Sequence, residues 1–145
     1  MIDIVSNSPE ETISIGKRIA SFLTAGSVVA FVGCLGSGKT CLAKGIALGL
    51  GIADNITSPT YTIINEYQSE KESSPTLLHI DAYRLNNDKD FEDIGGDEAI
   101  NGGGISIIEW SERIPKSIPE NSIKISMEIT SPLSRTIKIK GLDKL

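Results

Sequence analysis

Gly33-Cys34-Leu35-Gly36-Ser37-Gly38-Lys39-Thr40 meets every fixed position of the pattern G-x-x-x-x-G-K-[ST]. Glycines at these places let consecutive backbone N–H groups turn inward around an anion. A helix starting directly behind them aims its partly positive end at the same point. Lys39 carries an ammonium group that can reach the β and γ oxygens of a nucleotide, and the Thr40 hydroxyl suits one corner of a Mg²⁺ octahedron. The candidate phosphate-binding residues are therefore Gly33, Leu35, Gly36, Ser37, Gly38, Lys39 and Thr40, with Cys41 directly behind. An ordinary glycine turn is the competing reading, and the agreement of every fixed position and both flanks weighs against it.

Triphosphate hydrolysis also needs a held metal ion, a water in line and neutralised charge on the leaving phosphate. Two apolar runs, Leu77 to Ile80 and Ile105 to Ile108, end in Asp81 and Glu109, where buried strands should emerge from a sheet. Asp81 fits the acid that closes a Walker B strand and contacts Mg²⁺ directly or through water, although an exposed acid starting a turn looks the same. Both acids are candidate catalytic groups and metal ligands, and the sequence alone does not divide their roles. Trp110, beside Glu109, either packs on the core or lies near the nucleotide. His79 alternates with apolar neighbours and reads as a strand histidine with a satisfied hydrogen bond, the alternative being a supporting place behind the acids. Ser58-Pro59-Thr60 is either a segment that senses the γ-phosphate, which makes Thr60 a third candidate catalytic residue, or a plain turn. Cys34 and Cys41 flank the loop as redox-sensitive thiols or simply as small, partly buried side chains.

Several elements must position these groups. Ser27 to Val32 is a continuous apolar, β-branched run, as expected of a strand covered on both faces. Leu42, Ile46 and Leu50 fall on one helical face beside Ala43 and Ala47, with Gly49 and Gly51 as a stop. Ser8-Pro9-Glu10-Glu11 announces an earlier helix whose buried face is Thr12, Ile15, Ile19, Phe22 and Leu23, ending at Gly26. Thr60 to Tyr67 is strand-like, and the polar stretch Gln68 to Thr76 joins it to the strand ending at Asp81. Ile123, Ile125, Met127 and Ile129, then Ile137 and Ile139, alternate with polar residues around the turn Ser131-Pro132, giving an antiparallel hairpin at the edge of the sheet.

The chain has 145 residues, 39% hydrophobic and 23% charged, which suits a single domain over residues 1–145. No apolar run approaches the roughly 18 residues that span a bilayer, and Met1-Ile2-Asp3-Ile4-Val5 reads as a strand and not as a secretory signal. A cytoplasmic protein with reduced thiols is expected, without membrane contact. The net charge of −5 argues against direct binding of DNA or RNA, so any tRNA is expected to be reached through a partner.

The blocks Gly33 to Thr40, Ser58-Pro59-Thr60-Tyr61-Thr62 continuing to Asn65-Glu66-Tyr67, His79-Ile80-Asp81-Ala82-Tyr83-Arg84, and Glu109-Trp110-Ser111-Glu112 together resemble one family. It is the bacterial TsaE (formerly YjeE) ATPases of tRNA threonylcarbamoyladenosine synthesis, and the likeness covers nearly the whole chain. It implies an α/β fold like that of other P-loop NTPases, a three-layer sandwich whose mostly parallel sheet is finished by antiparallel strands at the C-terminal end. It implies ATP and Mg²⁺ as cofactors, Thr40 and Glu109 as metal ligands, Asp81 as the Walker B acid, Thr60 in a nucleotide-sensing switch and Trp110 at the edge of the site. It also implies TsaB and TsaD as partners, with TsaD transferring the threonylcarbamoyl group while this chain spends ATP to load, reset or recycle the pair. The sequence departs from the family at Cys34, where an acid is common, and at Cys41, where threonine is common.

ATP is expected over GTP, because Asn87-Asp88-Lys89-Asp90 does not supply the N-K-x-D that reads guanine. A small-molecule kinase would want more arginines than Arg18, Arg84, Arg113 and Arg135 to clamp two phosphate-bearing substrates. A nucleotide-dependent binding module with little hydrolysis is the alternative of a different class. Arg84 either contacts the partner or switch or is a solvated surface residue, and Arg135 is a candidate to flank the base.

Overall fold

The computed structural model, which describes residues 1–33, 38–53, 56 and 63–145, is built on a seven-stranded sheet. Its strands are β1 (Ile2–Ser6), β2 (Val28–Gly33), β3 (Ile64–Tyr67), β4 (Leu77–Asp81), β5 (Ile105–Glu109), β6 (Ile123–Ile129) and β7 (Arg135–Lys140), in the order β1-β7-β6-β2-β5-β4-β3. The four central strands β6, β2, β5 and β4 are mutually parallel, while β7, β1 and β3 pair antiparallel outside them. The hairpin of β6 and β7 is thus not at the edge as expected. Its outer strand is covered by β1, in register from Ile2 opposite Ile139 to Ser6 opposite Arg135.

Helices α1 (Pro9–Ala20) and α2 (Lys39–Gly49) cover one face of the sheet. The strand residues that meet them there include Val29, Phe31, Ile105, Ile107, Ile125, Met127, Ile137 and Ile139. The other face buries Val28, Leu78, Ile80 and Ile108 against the short helices α3 (Asp88–Asp93) and α4 (Gly96–Ile100), through Phe91 and Ile100. Three layers result, and β2 is covered on both faces as its unbroken apolar run requires.

Ser8 caps α1 by accepting from the N–H of Glu11 at 3.1 Å, and the Glu11 carboxylate accepts from the N–H of Asn7 at 2.7 Å. The helix ends at Ala20, short of Gly26, and Phe22 lies exposed in the turn that follows. Helices α3 and α4 were not expected. They are single short turns, too brief for apolar periodicity, and the sequence signal for the first is Asn87, whose side chain accepts from the Asp90 N–H at 2.9 Å. Of the stretch Thr60 to Tyr67, residues 64–67 form β3 and residues 60–62 lie outside the described residues.

Helices α1 and α2 cross at unusually short range because both carry glycine there. A β-carbon on Gly16 would lie 2.5 Å from the carbonyl oxygen of Leu42, and one on Gly45 would strike the carbonyl oxygen of Ile13. This contact sets the position of α2, and with it the first residues of that helix.

Candidate functional site

Strands β2, β4 and β5 run parallel, so Gly33, Asp81 and Glu109 leave the sheet at one edge. Asp81 and Glu109 are opposite one another in register. Alternation along β4 and β5 sends Leu77 and Ile107 into the core beneath α1 and α2, so His79, Asp81 and Glu109 share that same face. The acids therefore stand on the side of the sheet from which α2 begins.

Gly38 precedes α2 in the left-handed conformation, φ 98°, a backbone that glycine adopts without strain. Helix α1 has a serine cap and two glutamates in its first turn, whereas the first turn of α2 has no acidic residue and its capping residue has no side chain. An uncapped, electropositive helix start fits an anion. Lys39 is nearly buried, and its Nζ sits 4.5 Å from the centroid of the Trp110 ring. Thr40, the next residue, is exposed, and Cys41 is a half-exposed free thiol.

Trp110 is the one non-glycine residue with positive φ among the described residues, at φ 59° and ψ 39°. Such a backbone costs a side-chain-bearing residue about 1 kcal/mol or more. Its ring is held by neighbours: Tyr83 at 5.0 Å between centroids, Lys39, and Arg113 at 5.8 Å. Arg113 also lies 5.2 Å over Tyr83. Tyr83 and Arg113 are site-edge residues that the sequence reading did not assign. Arg113 stands three residues after Trp110 in a short 3₁₀ turn, Ser111–Arg113, and that spacing was its only signal. Ser111 ties this turn to β2 by donating to the Phe31 carbonyl at 3.1 Å.

The two acids sit differently. Glu109 is 5% exposed and its Oε2 is 2.8 Å from His79 Nε2, so the histidine is a strand residue whose one side-chain hydrogen bond among the described residues goes to the acid. Asp81 is half-buried and accepts from the Tyr83 N–H at 2.9 Å, which fixes the turn after β4. Thr40, Asp81 and Glu109 offer oxygen donors only. No group of three or more His, Cys, Asp or Glu side chains that could hold a metal exists among the described residues. Such a set fits a hard ion that keeps much of its shell as water and phosphate oxygens, and does not fit a thiolate-bound metal.

Beside Gly38 lies a cavity of about 110 Å³ lined by Pro9, Gly38, Cys41, Leu133 and Arg135, among others. Arg135 is held there by hydrogen bonds to the carbonyls of Ser131 and Ser134 at 3.2 and 3.0 Å. The structure thus places Gly38, Cys41 and Arg135 around one cavity, Lys39 against Trp110, and Asp81 opposite Glu109, whereas Arg84 is exposed. Leu35, Gly36, Ser37 and Thr60 lie outside the described residues. No helix among the described residues is long and apolar enough to cross a membrane.

Residues 6–137 match the family described as threonylcarbamoyl adenosine biosynthesis protein TsaE. A protein of Treponema pallidum named tRNA threonylcarbamoyladenosine biosynthesis protein TsaE is 42% identical over 135 residues, 93% of this chain and 97% of its own length. The Bacillus subtilis protein of the same name is 41% identical over 118 residues, covering 81% of this chain and 72% of its own. The crystal structure of Bacillus subtilis YdiB superimposes with a TM-score of 0.75 at 34% identity, over 94% of this chain and 82% of that one. With this match running over residues 6–137, from the end of β1 into β7, the chain belongs to the TsaE family.

Proposed function

We propose that this chain is a Mg²⁺-dependent P-loop ATPase, one domain over residues 1–145, that supports a TsaB–TsaD complex in threonylcarbamoyladenosine modification of tRNA. The observation that carries the reading is the 4.5 Å approach of Lys39 Nζ to the ring of Trp110, the residue after Glu109. It supports the reading by setting the lysine of the glycine motif against the residue that directly follows the strand-end acid.

In this reading the amides from Gly33 to Thr40, with Leu35, Gly36 and Ser37 among them, surround the polyphosphate, and Lys39 meets its β and γ oxygens. Thr40 and Glu109 hold Mg²⁺, and Asp81 holds a water of the metal shell on the neighbouring strand. Bound Mg²⁺ supplies charge neutralisation on the phosphate oxygens. Thr60 belongs to a segment that senses the γ-phosphate, and the Arg135–Cys41 cavity takes the base. ATP is preferred because the guanine-reading N-K-x-D is missing from the sequence. A net charge of −5 suits a protein that reaches tRNA through TsaB and TsaD and does no carbamoyl chemistry itself.

Phosphate release from ATP with Mg²⁺ is expected to be slow for the chain alone and several-fold faster with TsaB and TsaD added. Release in neither case removes the ATPase reading, and ADP formed without free phosphate, only when a small acceptor is added and itself becomes phosphorylated, makes the protein a kinase. Glu109→Ala and Asp81→Ala are each expected to bind ATP within about tenfold of the parent while turnover falls on the order of a hundredfold. Parent-like turnover in both variants would remove the acids from the reaction.

A further inference from the structure

We propose that His79 is a positioning residue that fixes the Glu109 carboxylate for its metal ion; the idea rests on the ATPase reading above. Nε2 of His79 lies 2.8 Å from Glu109 Oε2, and the residues are 1% and 5% exposed. They come from adjacent parallel strands but are not register partners: His79 is opposite Ile107 and Glu109 is opposite Asp81. The bond therefore runs diagonally along one face of the sheet, from inside the core toward the edge where the strands end.

The tautomer follows from burial. His79 Nδ1 is buried without a hydrogen-bond partner among the described residues, so a hydrogen placed there would be an orphaned donor. An unpaired acceptor is the less costly choice, which puts the hydrogen on Nε2 and makes the histidine donate to Glu109. The described residues give Glu109 Oε1 no hydrogen bond. One oxygen is thus anchored and the other is presented outward. An unanchored glutamate would spread over several rotamers and lose affinity for an ion that demands near-octahedral geometry. A buried pair of purely structural use would stabilise the sheet equally and have no bearing on metal.

Glutamine and asparagine separate these roles, since the amide nitrogen of His79→Gln falls near Nε2 and that of His79→Asn near Nδ1, too short to reach Glu109. Affinity for a non-hydrolysable ATP analogue is measured by calorimetry with Mg²⁺ and with excess EDTA, alongside melting curves. Mg²⁺ is expected to tighten binding by the parent, His79→Gln to keep most of that gain, and His79→Asn to lose several-fold, up to about tenfold, of it with unchanged affinity in EDTA. His79→Leu, which fills the space without a donor, is expected to behave like His79→Asn. Equal Mg²⁺ gains in the Gln variant and whichever of Asn and Leu folds overturn the proposal, as does a loss that appears equally in EDTA. A parent that binds the analogue no better with Mg²⁺ overturns the metal-site reading itself, and this proposal with it.

Discussion

Lys39→Ala is expected to bind ATP several hundredfold more weakly than the parent, a loss of about 3–4 kcal/mol. A nearly buried ammonium at the start of α2 is already desolvated by its surroundings, so its attraction to a polyphosphate is not spread into water as that of a surface lysine would be. Deleting it also leaves the phosphate charge to the backbone amides and the metal ion, with no cationic side chain of the loop. The cation over Trp110 disappears in the same variant, and that contact stabilises the free protein by about 1 kcal/mol. The melting temperature should therefore fall by only a few degrees while binding almost vanishes, which separates a lost ligand contact from a lost fold. Calorimetry with Mg²⁺ and ATP is the measurement, and near-parental affinity would show that the glycine loop is not a phosphate site.

Gly45→Val is expected to destabilise the protein by about 3 kcal/mol or more, lowering the melting temperature by roughly 10 °C. The added carbon meets a carbonyl oxygen of α1, which is backbone and cannot rotate aside as a side-chain end would. The helices must separate, and the space between them, closed by Ile15, Ile19, Leu42 and Ile46, opens with them. Lys44→Val on the exposed side of the same helix places the same β-branched side chain in α2 without the collision and serves as the control. Because α2 starts with Lys39 and Thr40, a Gly45 variant that survives should also bind nucleotide less well. Thermal unfolding of both variants decides the point, and equal midpoints would mean the crossing yields at little cost.

The strand and helix on either side of the glycine motif were legible because they are local: the apolar run of β2 and the buried face of α2 are each contiguous in sequence. Asp81 and Glu109 were legible as strand ends for the same reason. What reading along the chain could not give was partnership across strands. That His79 bonds to Glu109 depends on the register of β4 against β5, which no periodicity within either strand reveals. The hairpin of β6 and β7 was legible as a hairpin, but that β1 would cover its outer strand depends on residues far away in sequence. The left-handed Trp110 was hidden as well, since a bulky residue carries no local signal for that backbone. Phe22 was misplaced because the helical spacing continued past the last helical turn.

The pairing of residues 2–6 with residues 135–139 has a consequence for biosynthesis. While the ribosome is extending the polypeptide, β1 has no neighbour to bond with, and β2 acquires its own two neighbours only when β5 and β6 have been made. For most of translation the nascent chain therefore exposes strand edges and an oily helix pair with nothing to shield them. Chaperone dependence and co-translational clumping should both concentrate in that interval.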